Sequence, residues 1–358
     1  MIAVGIPSFN EADNIVQLVT AIDTAASSLN MNIILINADN DSPDLTAECF
    51  REVETRAEKV SLITNQKGKG YNLKSIINYI ATREDITYCL FVDGDIISFE
   101  TEWLIKHSAS KEKNYDYVIP NYSRNMQEGN TTNHFIYPEL FWLTSGKAPY
   151  QGIAGDFGIS KKFANHLSKQ VWPESSLGYG VDIFMTLQAL FSDMRITEIS
   201  LNRKIHKPSF DKMVGMFQQV AESYFETRNR LSLTNGTNFD RQYGNKLTLL
   251  TGEIIPADKL NERRNTAIKL YEVNEVNGLH ICDLPDNNDL GLTEWVEILA
   301  SHEIHRRDYA PSELALSLTP FYLLRVITYL STTKSPLSAV NQINQTAKLL
   351  KKRLKGKS

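Results

Sequence analysis

Cysteine is scarce in this sequence, and its three cysteines lie too far apart to form a metal-binding or disulfide framework. Cys49, Cys89 and Cys282 include no C-x-x-C pair. Zinc sites and disulfide-stapled folds need closely spaced or paired cysteines, and a sparse, odd set is typical of a reducing compartment. The sequence therefore predicts a cytoplasmic protein and gives no indication of a zinc site.

Long apolar runs are also missing. A membrane-spanning helix needs about 20 consecutive apolar residues, whereas the longest candidate, at 321–330, is shorter and contains Arg325. The apolar residues 2–6 are already typical of a β-strand, so no stretch precedes the fold that could serve as a signal peptide. We therefore expect a soluble protein with no transmembrane segment.

The sequence has no excess of positive charge. Lysine and arginine number 38 against 42 aspartate and glutamate residues, which gives a formal net charge of -4. Nucleic-acid-binding proteins are usually strongly basic, so the composition argues against a nucleic-acid partner. With 358 residues, 42% of them apolar and 22% charged, the chain is typical of a globular protein of one large domain or two.

Short β-rich runs alternate with helical patterns in the first third of the chain. The expected strands are 2–6, 33–36, 62–64, 89–92 and 117–119, and the expected helices are 14–27, 45–58 and 73–82. This alternation predicts an α/β fold with a mostly parallel sheet and helices on both faces. Ligands of such folds bind beyond the carboxyl ends of the strands. The polar segments 7–11, 37–41, 66–70 and 93–95 follow four of the expected strands, so we expect them to face one crevice.

The pattern becomes helical in the last third of the chain, with candidates at 257–273, 292–305, 311–332 and 335–355. We therefore expect an α/β domain at 1–230 and a mainly helical C-terminal region at 231–358. The final residues, 348–357, are basic with leucines between the lysines. A membrane-surface helix is one interpretation of this tail, and a solvated, frayed terminus is the one we favour.

Asp93 and Asp95 form a D-x-D pair directly after an apolar strand candidate. Such a pair is weak evidence alone, because Asp39 and Asp41 form a second one. Carboxylates beside a diphosphate would repel it by about 4 kcal/mol per pair of charges at ~4 Å and an effective dielectric of ~20. A divalent cation reverses that sign, and oxygen ligands suit Mg²⁺ or Mn²⁺. The alternative is a solvated acidic turn.

Two further polar segments fit an anionic nucleotide ligand. Residues 66–70, Gln-Lys-Gly-Lys-Gly, precede a helical run, where backbone N–H groups and Lys69 suit a phosphate. A plain basic turn is the alternative. Acceptor side chains at 7–11 and 37–44 suit a ribose and a pyrimidine, although Asn10, Asp13, Ser42 or Asp44 could equally cap the helices that follow.

The order of these segments resembles GT-A glycosyltransferases, closest to the glucosyl-3-phosphoglycerate synthase and mannosylglycerate synthase group. Seven motifs carry the resemblance over 1–230, namely PSFNE (7–11), NADNDSPD (37–44), GKG (68–70), VDGD (92–95), GIAGD (152–156), GYGVD (178–182) and KIHK (204–207). The resemblance implies a GT-A fold. The C-terminal third carries no motif that matches.

The resemblance also implies roles for individual residues. Donor binding would fall to Pro7, Phe9, Glu11, Asp39, Lys69, Asp93, Gly94, Ala154, Gly155 and Asp156. Asp95 and His206 would be the protein ligands of a Mn²⁺ or Mg²⁺ ion, and Lys204 and Lys207 beside His206 suit a phosphate-rich site. Asp182 would lie near the reacting carbon as the catalytic residue. The acceptor's acid group would be held by Arg124, Gly129, Thr131 and Thr132.

The sequence departs from that group at three positions. Asp156 stands where the group has a glutamate, Asn130 occupies a place where phosphoglycerate-using relatives tend to be basic, and Pro208 follows KIHK unusually. The last two departures argue against a phosphorylated acceptor.

We interpret the chain as a glycosyltransferase that moves a hexose from a UDP- or GDP-sugar to a small acidic hydroxyl acceptor, such as glycerate or 3-phosphoglycerate. The resemblance implies retention of configuration and a homodimer. In an inverting enzyme Asp182 would instead be the general base. The alternatives are an inverting transferase for polysaccharide or glycolipid synthesis, weakly favoured by the basic tail, and a non-catalytic sugar-nucleotide-binding protein.

Overall fold

The computed structural model describes residues 1–205, 213–231, 237–241, 245–286 and 288–356. Contacts within the described chain define two compact units. Unit 1 draws on Met1–Tyr122, Ala154–Ser209 and Asn238–Asn245, and unit 2 draws on Ser123–Ile153, Phe210–Thr237 and Lys246–Ser358. The contacts group parts of the chain before residue 230 with the C-terminal helices. The predicted domain boundary at residue 230 stays a prediction.

Each strand and helix predicted from the sequence overlaps an element of the structure, which contains others besides. In chain order they are β1 (Ile2–Ser8), α1 (Ile15–Ser28), β2 (Ile33–Asp39), α2 (Thr46–Glu52), β3 (Glu58–Ile63), α3 (Lys69–Thr82), β4 (Tyr88–Phe91), α4 (Thr101–Glu112), β5 (Tyr117–Asn125), a π-helix (Thr132–Ile136), α5 (Tyr137–Leu143), β6 (Gly158–Ser160), α6 (Lys161–Ser168), a 3₁₀ turn (Glu174–Ser176), α7 (Val181–Leu190), β7 (Ile196–Arg203), α8 (Met213–Arg230), β8 (Phe239–Arg241), β9 (Leu249–Leu250), α9 (Ala257–Val276), α10 (Leu292–Ile304), α11 (Pro311–Thr332) and α12 (Pro336–Arg353).

The sheet has the strand order β3-β2-β1-β4-β6-β5-β7-β8. Its first four strands are parallel, and β6 runs antiparallel to both β4 and β5. Every residue of β1 and β2 is buried, as expected for parallel strands that are covered on both faces. The register pairs Ser8 with Asp39, so β1 and β2 end side by side. The prediction of a GT-A type α/β fold with a C-terminal helical region is confirmed.

The helix predicted at 45–58 ends early, at Glu52. The side-chain ammonium of Lys59 donates to the carbonyls of Phe50 (3.1 Å) and Arg51 (2.8 Å), which satisfies the C-terminal groups of α2. The carboxylate of Asp23 on α1 accepts the backbone N–H groups of Arg56 and Ala57 at 3.0 and 2.9 Å. Because both contacts come from outside the helix, the local sequence pattern did not reveal where it ends.

Helix α11 forms the centre of unit 2. Phe217 of α8 stacks on Tyr322 of α11, with ring centroids 3.8 Å apart and planes 4° from parallel. By length and composition α11 is the one helix in the described residues that could cross a membrane, but 83% of its most apolar stretch is buried inside the protein. The apolar run is thus longer than the sequence indicated. The guanidinium of Arg325 is buried within it and donates to Gln342 at 3.0 Å.

The expectation of a frayed basic tail is wrong as far as the structure describes it. Helix α12 continues to Arg353, and Ile343, Ala347, Leu350 and Leu354 are buried along one side. This spacing places apolar side chains on one helical face. Lys348, Leu350, Lys351 and Lys352 therefore belong to an amphipathic helix, and Leu350 and Leu354 pack into unit 2.

Unit 2 also buries a group of charged side chains. Glu303 is 1% exposed and lies 3.7 Å from the guanidinium of Arg228 and 3.3 Å from that of Arg306. The hydroxyl of Tyr224 donates to Glu139, which is equally buried, at 2.9 Å. Burial raises the pKa of Glu303 to about 7, although Arg228 and Arg306 favour its charged form.

This shift predicts a specific pH dependence of stability. The folded state binds the Glu303 proton more tightly than the unfolded state, so the stability that this group contributes is present at low pH and is lost between about pH 4.5 and 7. The loss is at most ~1.4 kcal/mol per pH unit. Urea denaturation across this range should show Glu303→Gln losing less stability than the wild type as pH rises. Glu297→Gln, at a half-exposed position, is the control, and parallel curves for wild type and Glu303→Gln would refute the assignment.

Candidate active site

The ends of β1 and β2 are joined by a buried hydrogen-bond network around Asp39. Its carboxylate accepts from the hydroxyls of Ser8 and Ser42, each at 2.8 Å, and from the backbone N–H of Ser42 at 2.7 Å. Asp39 is fully buried. The carboxylate therefore holds the loop after β2 against β1, and its predicted reading of a nucleobase stays a prediction.

Asn14 connects the start of α1 to the D-x-D turn. Its amide donates to the carbonyls of Gly94 (2.8 Å) and Ile96 (2.9 Å) rather than capping its own helix. The N–H of Gly94 donates to the carbonyl of Pro7 at 3.1 Å, and a Cβ on Gly94 would lie 2.9 Å from that oxygen. Asp93 and Asp95 are therefore held directly beside the end of β1.

The other residues predicted after β1 lie at this same edge. Phe9 is 37% exposed, and the ammonium of Lys67 lies 5.1 Å from the centre of its ring. The backbone N–H of Glu11 donates to the hydroxyl of Thr46 at 2.9 Å. Asp44, one of the proposed caps, accepts from the backbone N–H of Ala12 and of Thr46, each at 3.1 Å. It therefore joins the loops after β1 and β2 at the start of α2.

The segment at 66–70 is fixed by side chains that sequence reasoning did not select. The amide of Asn40 donates to the carbonyl of Gln66 (2.7 Å) and to Asn72 (2.8 Å), and its oxygen accepts the N–H of Gly68 at 3.3 Å. Asn72 in turn donates to the carbonyl of Ser8 at 3.0 Å. Asn40 stands inside the NADNDSPD motif, so its position was visible in the sequence, but its partners were not.

The glycines of this segment are required by close packing. A Cβ on Gly70 would lie 2.1 Å from the carbonyl oxygen of Ser176 and 2.6 Å from the backbone of Leu177. Gly68 has φ +149° and would place a Cβ 2.3 Å from the carbonyl oxygen of Leu177. Real Cβ atoms do not approach this closely, so the glycines allow α3 to begin directly against the chain that leads into α7.

Lys69, at the start of α3, lies between two carboxylates. Its ammonium is 2.8 Å from Asp93 and 3.3 Å from Asp182 at the start of α7. Burial alone would lower the pKa of Lys69, but Asp182 and Asp93 raise it well above its ordinary value. Burial would likewise raise the pKa of Asp93, yet Lys69 and Lys204 hold it well below its usual range. Burial raises the pKa of Asp182. Three residues predicted from separate motifs are thus in contact.

A second lysine at this edge makes contacts that the sequence did not reveal. The ammonium of Lys204 lies 2.5 Å from Asp156 and 3.4 Å from Asp93, and it donates to the carbonyl of Ala154 at 2.9 Å. Gly155 has φ +82°, and a Cβ there would lie 2.5 Å from the Asp93 carboxylate. The signal was the position of Lys204 in the KIHK motif at the end of β7.

Of the two predicted metal ligands, only Asp95 lies within the described residues, and it is partly buried. His206 lies outside them. The preceding residue, Ile205, is described: its carbonyl accepts the N–H of Ile97 at 3.0 Å, and its own N–H donates to Ser98 at 2.8 Å. Within the described ranges, which omit 206–212, no group of three or more His, Cys, Asp or Glu side chains could hold a metal ion.

The four predicted acceptor residues lie in unit 2, around the loop that leads from β5 to the π-helix. The guanidinium of Arg124 donates to Gln151 at 2.9 Å, and a Cβ on Gly129 (φ +67°) would lie 3.6 Å from the Arg124 side chain. The hydroxyl of Thr131 bonds that of Tyr322 at 2.9 Å. Thr132 begins the π-helix, a conformation that is rare and often found at functional sites.

The parallel strands, the D-x-D turn and the lysine at a helix start define an α/β domain with a candidate site for an anionic ligand at the carboxyl edge of its sheet. Residues 3–161 match the family model Glycosyl transferase family 2. The match covers a little under half of the chain, and together with the fold it bears out the resemblance to GT-A glycosyltransferases. No curated protein matches the chain in sequence.

Solved structures share the fold at low sequence identity. Glucosyl-3-phosphoglycerate synthase from Mycobacterium tuberculosis, in complex with Mn²⁺, UDP and phosphoglyceric acid, is 20% identical with a TM-score of 0.50, over 63% of this chain and 78% of that one. A second structure of that enzyme, with UDP-glucose, has the same identity and TM-score over 64% and 80% of the two chains. A structure described as a mycobacterial protein is 19% identical with a TM-score of 0.50, over 63% and 74%.

The packing of Gly70 gives a testable prediction. Gly70→Ala forces the backbone at 176–177 away from α3, and we expect it to destabilise the protein by ~1–3 kcal/mol in urea denaturation, as overpacking usually does. The control is Gly215→Ala on α8, where a Cβ meets nothing within 4 Å and where replacing a helical glycine stabilises by ~0.5–1 kcal/mol. Equal stability of Gly70→Ala and wild type would contradict the packing argument.

Proposed function

We propose that this protein is a divalent-cation-dependent glycosyltransferase that moves a hexose from a UDP- or GDP-sugar to a small acidic hydroxyl acceptor such as glycerate or 3-phosphoglycerate. The observation that carries the proposal is the contact of Lys69 with Asp93 and Asp182 beside the D-x-D turn. This contact brings the Lys69 ammonium, the ribose-binding candidate Asp93 and the catalytic candidate Asp182 together at the carboxyl edge of the sheet. Ligands of α/β folds bind at this edge.

The nucleoside diphosphate would lie along the ends of β1, β2 and β4. Phe9 supplies an exposed aromatic ring there, Glu11 and Pro7 lie at the same edge, and the buried Asp39 carboxylate holds the loop after β2 in place. Lys69 begins α3, so its ammonium and the first N–H groups of the helix both favour the phosphates. The Asp93 carboxylate, which is 20% exposed and held ionised by its lysines, is the acceptor we assign to the ribose hydroxyls.

A divalent cation fits the residues around the D-x-D turn. Both oxygens of Asp93 contact lysines. We assign Asp95, the other carboxylate of the motif, to the cation. We assign His206 as its second protein ligand. A Mn²⁺ or Mg²⁺ ion bound there would neutralise the diphosphate as the glycosidic bond breaks. The solved structure described above, from M. tuberculosis, holds Mn²⁺ together with UDP.

We assign Asp182 as the catalytic residue. Its side chain is 12% exposed and contacts Lys69 through one oxygen, and the other oxygen has no hydrogen-bond partner among the described residues. Leaving a buried oxygen unpaired is costly, and a substrate hydroxyl would satisfy it. In a retaining reaction Asp182 would stabilise positive charge at the sugar carbon, whereas in an inverting reaction it would accept the acceptor's proton.

The acceptor would be held by Arg124 and the loop that includes Gly129, Thr131 and Thr132. A guanidinium suits a carboxylate or a phosphate equally well. Asn130 is buried and uncharged, so it adds no positive charge to that of Arg124. Glycerate, which carries no phosphate, is therefore the acceptor we would test first. The homodimer, the cytoplasmic location and the retention of configuration stay predictions.

Titration calorimetry with UDP- and GDP-sugars tests the donor site. We expect binding of one nucleotide class that requires Mn²⁺ or Mg²⁺ and disappears with a chelator. Asp95→Asn and His206→Ala should each weaken it at least ~10-fold, or ~1.4 kcal/mol, because each removes a metal ligand. The controls are Asp193→Asn, at a fully exposed aspartate, and His305→Ala, at an exposed histidine of unit 2. No binding of any sugar nucleotide by folded protein would reject the proposal.

Steady-state kinetics test the role of Asp182. Asp182→Asn keeps the size of the side chain but removes its charge, so we expect kcat to fall by ~10²-fold or more while donor affinity changes little. Donor affinity is measured separately, by the calorimetry described above. An unchanged kcat would exclude Asp182 from the mechanism, and a loss confined to KM would make it a binding residue.

A further inference from the structure

Asp156 was expected to hold the donor sugar, but its carboxylate is already occupied inside the protein. One oxygen accepts the backbone N–H of Asp93 at 2.8 Å, and the other accepts the hydroxyl of Tyr122 at 3.0 Å and the ammonium of Lys204 at 2.5 Å. The side chain has 0% exposure, compared with 20% for Asp93 and 12% for Asp182. A carboxylate that already accepts three hydrogen bonds and has no exposed surface is poorly placed to contact a sugar.

Lys204 is likewise buried and bonded to protein atoms. Its side chain is 6% exposed, and its ammonium can donate three hydrogen bonds. Three acceptors surround it, namely Asp156, the carbonyl of Ala154 and, more distantly, Asp93. The ring of Tyr122, whose hydroxyl also reaches Asp156, lies below the ammonium at 5.5 Å. This lysine therefore has its donors directed at protein atoms of the D-x-D turn and of the turn before β6.

We propose that Asp156 and Lys204 are a positioning pair that fixes the Asp93 carboxylate and the Ala154–Gly155 turn, and that neither holds the donor sugar. Asp156 binds the backbone of Asp93, and Lys204 binds its side chain and the carbonyl of Ala154. The pair thus joins the end of β4, the turn before β6 and the end of β7. The consequence for donor binding rests on the proposed function, whereas the structural consequence does not.

The sugar-binding and the positioning assignments of Asp156 predict different changes in ligand affinity when its carboxylate is removed. A sugar-binding carboxylate contributes to the affinity for UDP- or GDP-sugar but not to that for the free nucleoside diphosphate. A positioning pair acts through Asp93, which we assign to the ribose, so its loss weakens both ligands by the same factor. The ratio of the two affinities therefore separates the sugar-binding assignment from the positioning assignment.

The first experiment compares affinities for the free diphosphate and for its sugar, with Mn²⁺, in wild type, Asp156→Asn, Lys204→Met and Lys204→Arg. We expect the first two variants to bind both ligands ~10-fold more weakly with the ratio unchanged, and Lys204→Arg to recover most of the loss because it keeps the charge. The matched control is Lys162→Met, a half-exposed lysine that also lies near two aspartates, Asp116 and Asp193. A selective loss of sugar-nucleotide affinity would overturn the proposal.

The second experiment needs no donor, so it separates failure of this proposal from failure of the proposed function. In hydrogen exchange of the unliganded protein, Lys204→Met should speed exchange in the peptides that cover Asp93–Ile96 and Ala154–Gly158, because it releases both segments. Lys162→Met should not affect either peptide. Unchanged protection in both segments of Lys204→Met would refute the positioning role, whether or not the wild type binds a sugar nucleotide.

Discussion

The ammonium of Lys69 lies between two carboxylates that come from different parts of the chain, and the candidate site depends on this contact. Asp93 follows a central strand, and Asp182 begins a helix about 90 residues later. Three partly buried charges of alternating sign can be tolerated only when they are paired, because an isolated buried charge is very costly. The same pairing keeps Asp93 ionised and Asp182 close to it. The electrostatic constraint therefore holds the catalytic candidate beside the donor-binding candidates.

Close backbone packing provides the geometry that this charge arrangement needs. Gly68 and Gly70 let α3 begin against Leu177, and this contact brings Lys69 within reach of Asp182. Asn40 ties the same segment to the end of β2. In the sequence these glycines suggested a phosphate-binding loop, and the structure adds a second reason for them. Glycine is required because the chain that leads into α7 lies where a side chain would be.

The fold and the place of the candidate site in it could be predicted because their signals are local. Alternating apolar runs gave the strands, and the D-x-D pair stood out because an apolar strand precedes it. What could not be predicted depends on contacts between distant segments. Hydrogen bonds from Asp23 and Lys59, which lie outside α2, accompany the end of that helix. Leu350 and Leu354 of the basic tail are buried. The Asp156 carboxylate already accepts hydrogen bonds from Tyr122 and Lys204. The motifs indicated which residues belong to the candidate site, whereas the contacts of each residue determine what it can bind.

The charge at this edge also explains why a donor and a cation should bind together. Lys69 and Lys204 contribute two positive charges, and Asp93, Asp156 and Asp182 contribute three negative ones when ionised, before Asp95 is counted. A diphosphate that arrived alone would add charge of the sign already in excess, whereas a divalent cation would offset that excess. A diphosphate with a divalent cation adds almost no net charge. The excess of carboxylates at this edge thus favours the metal complex of the nucleotide over the nucleotide by itself.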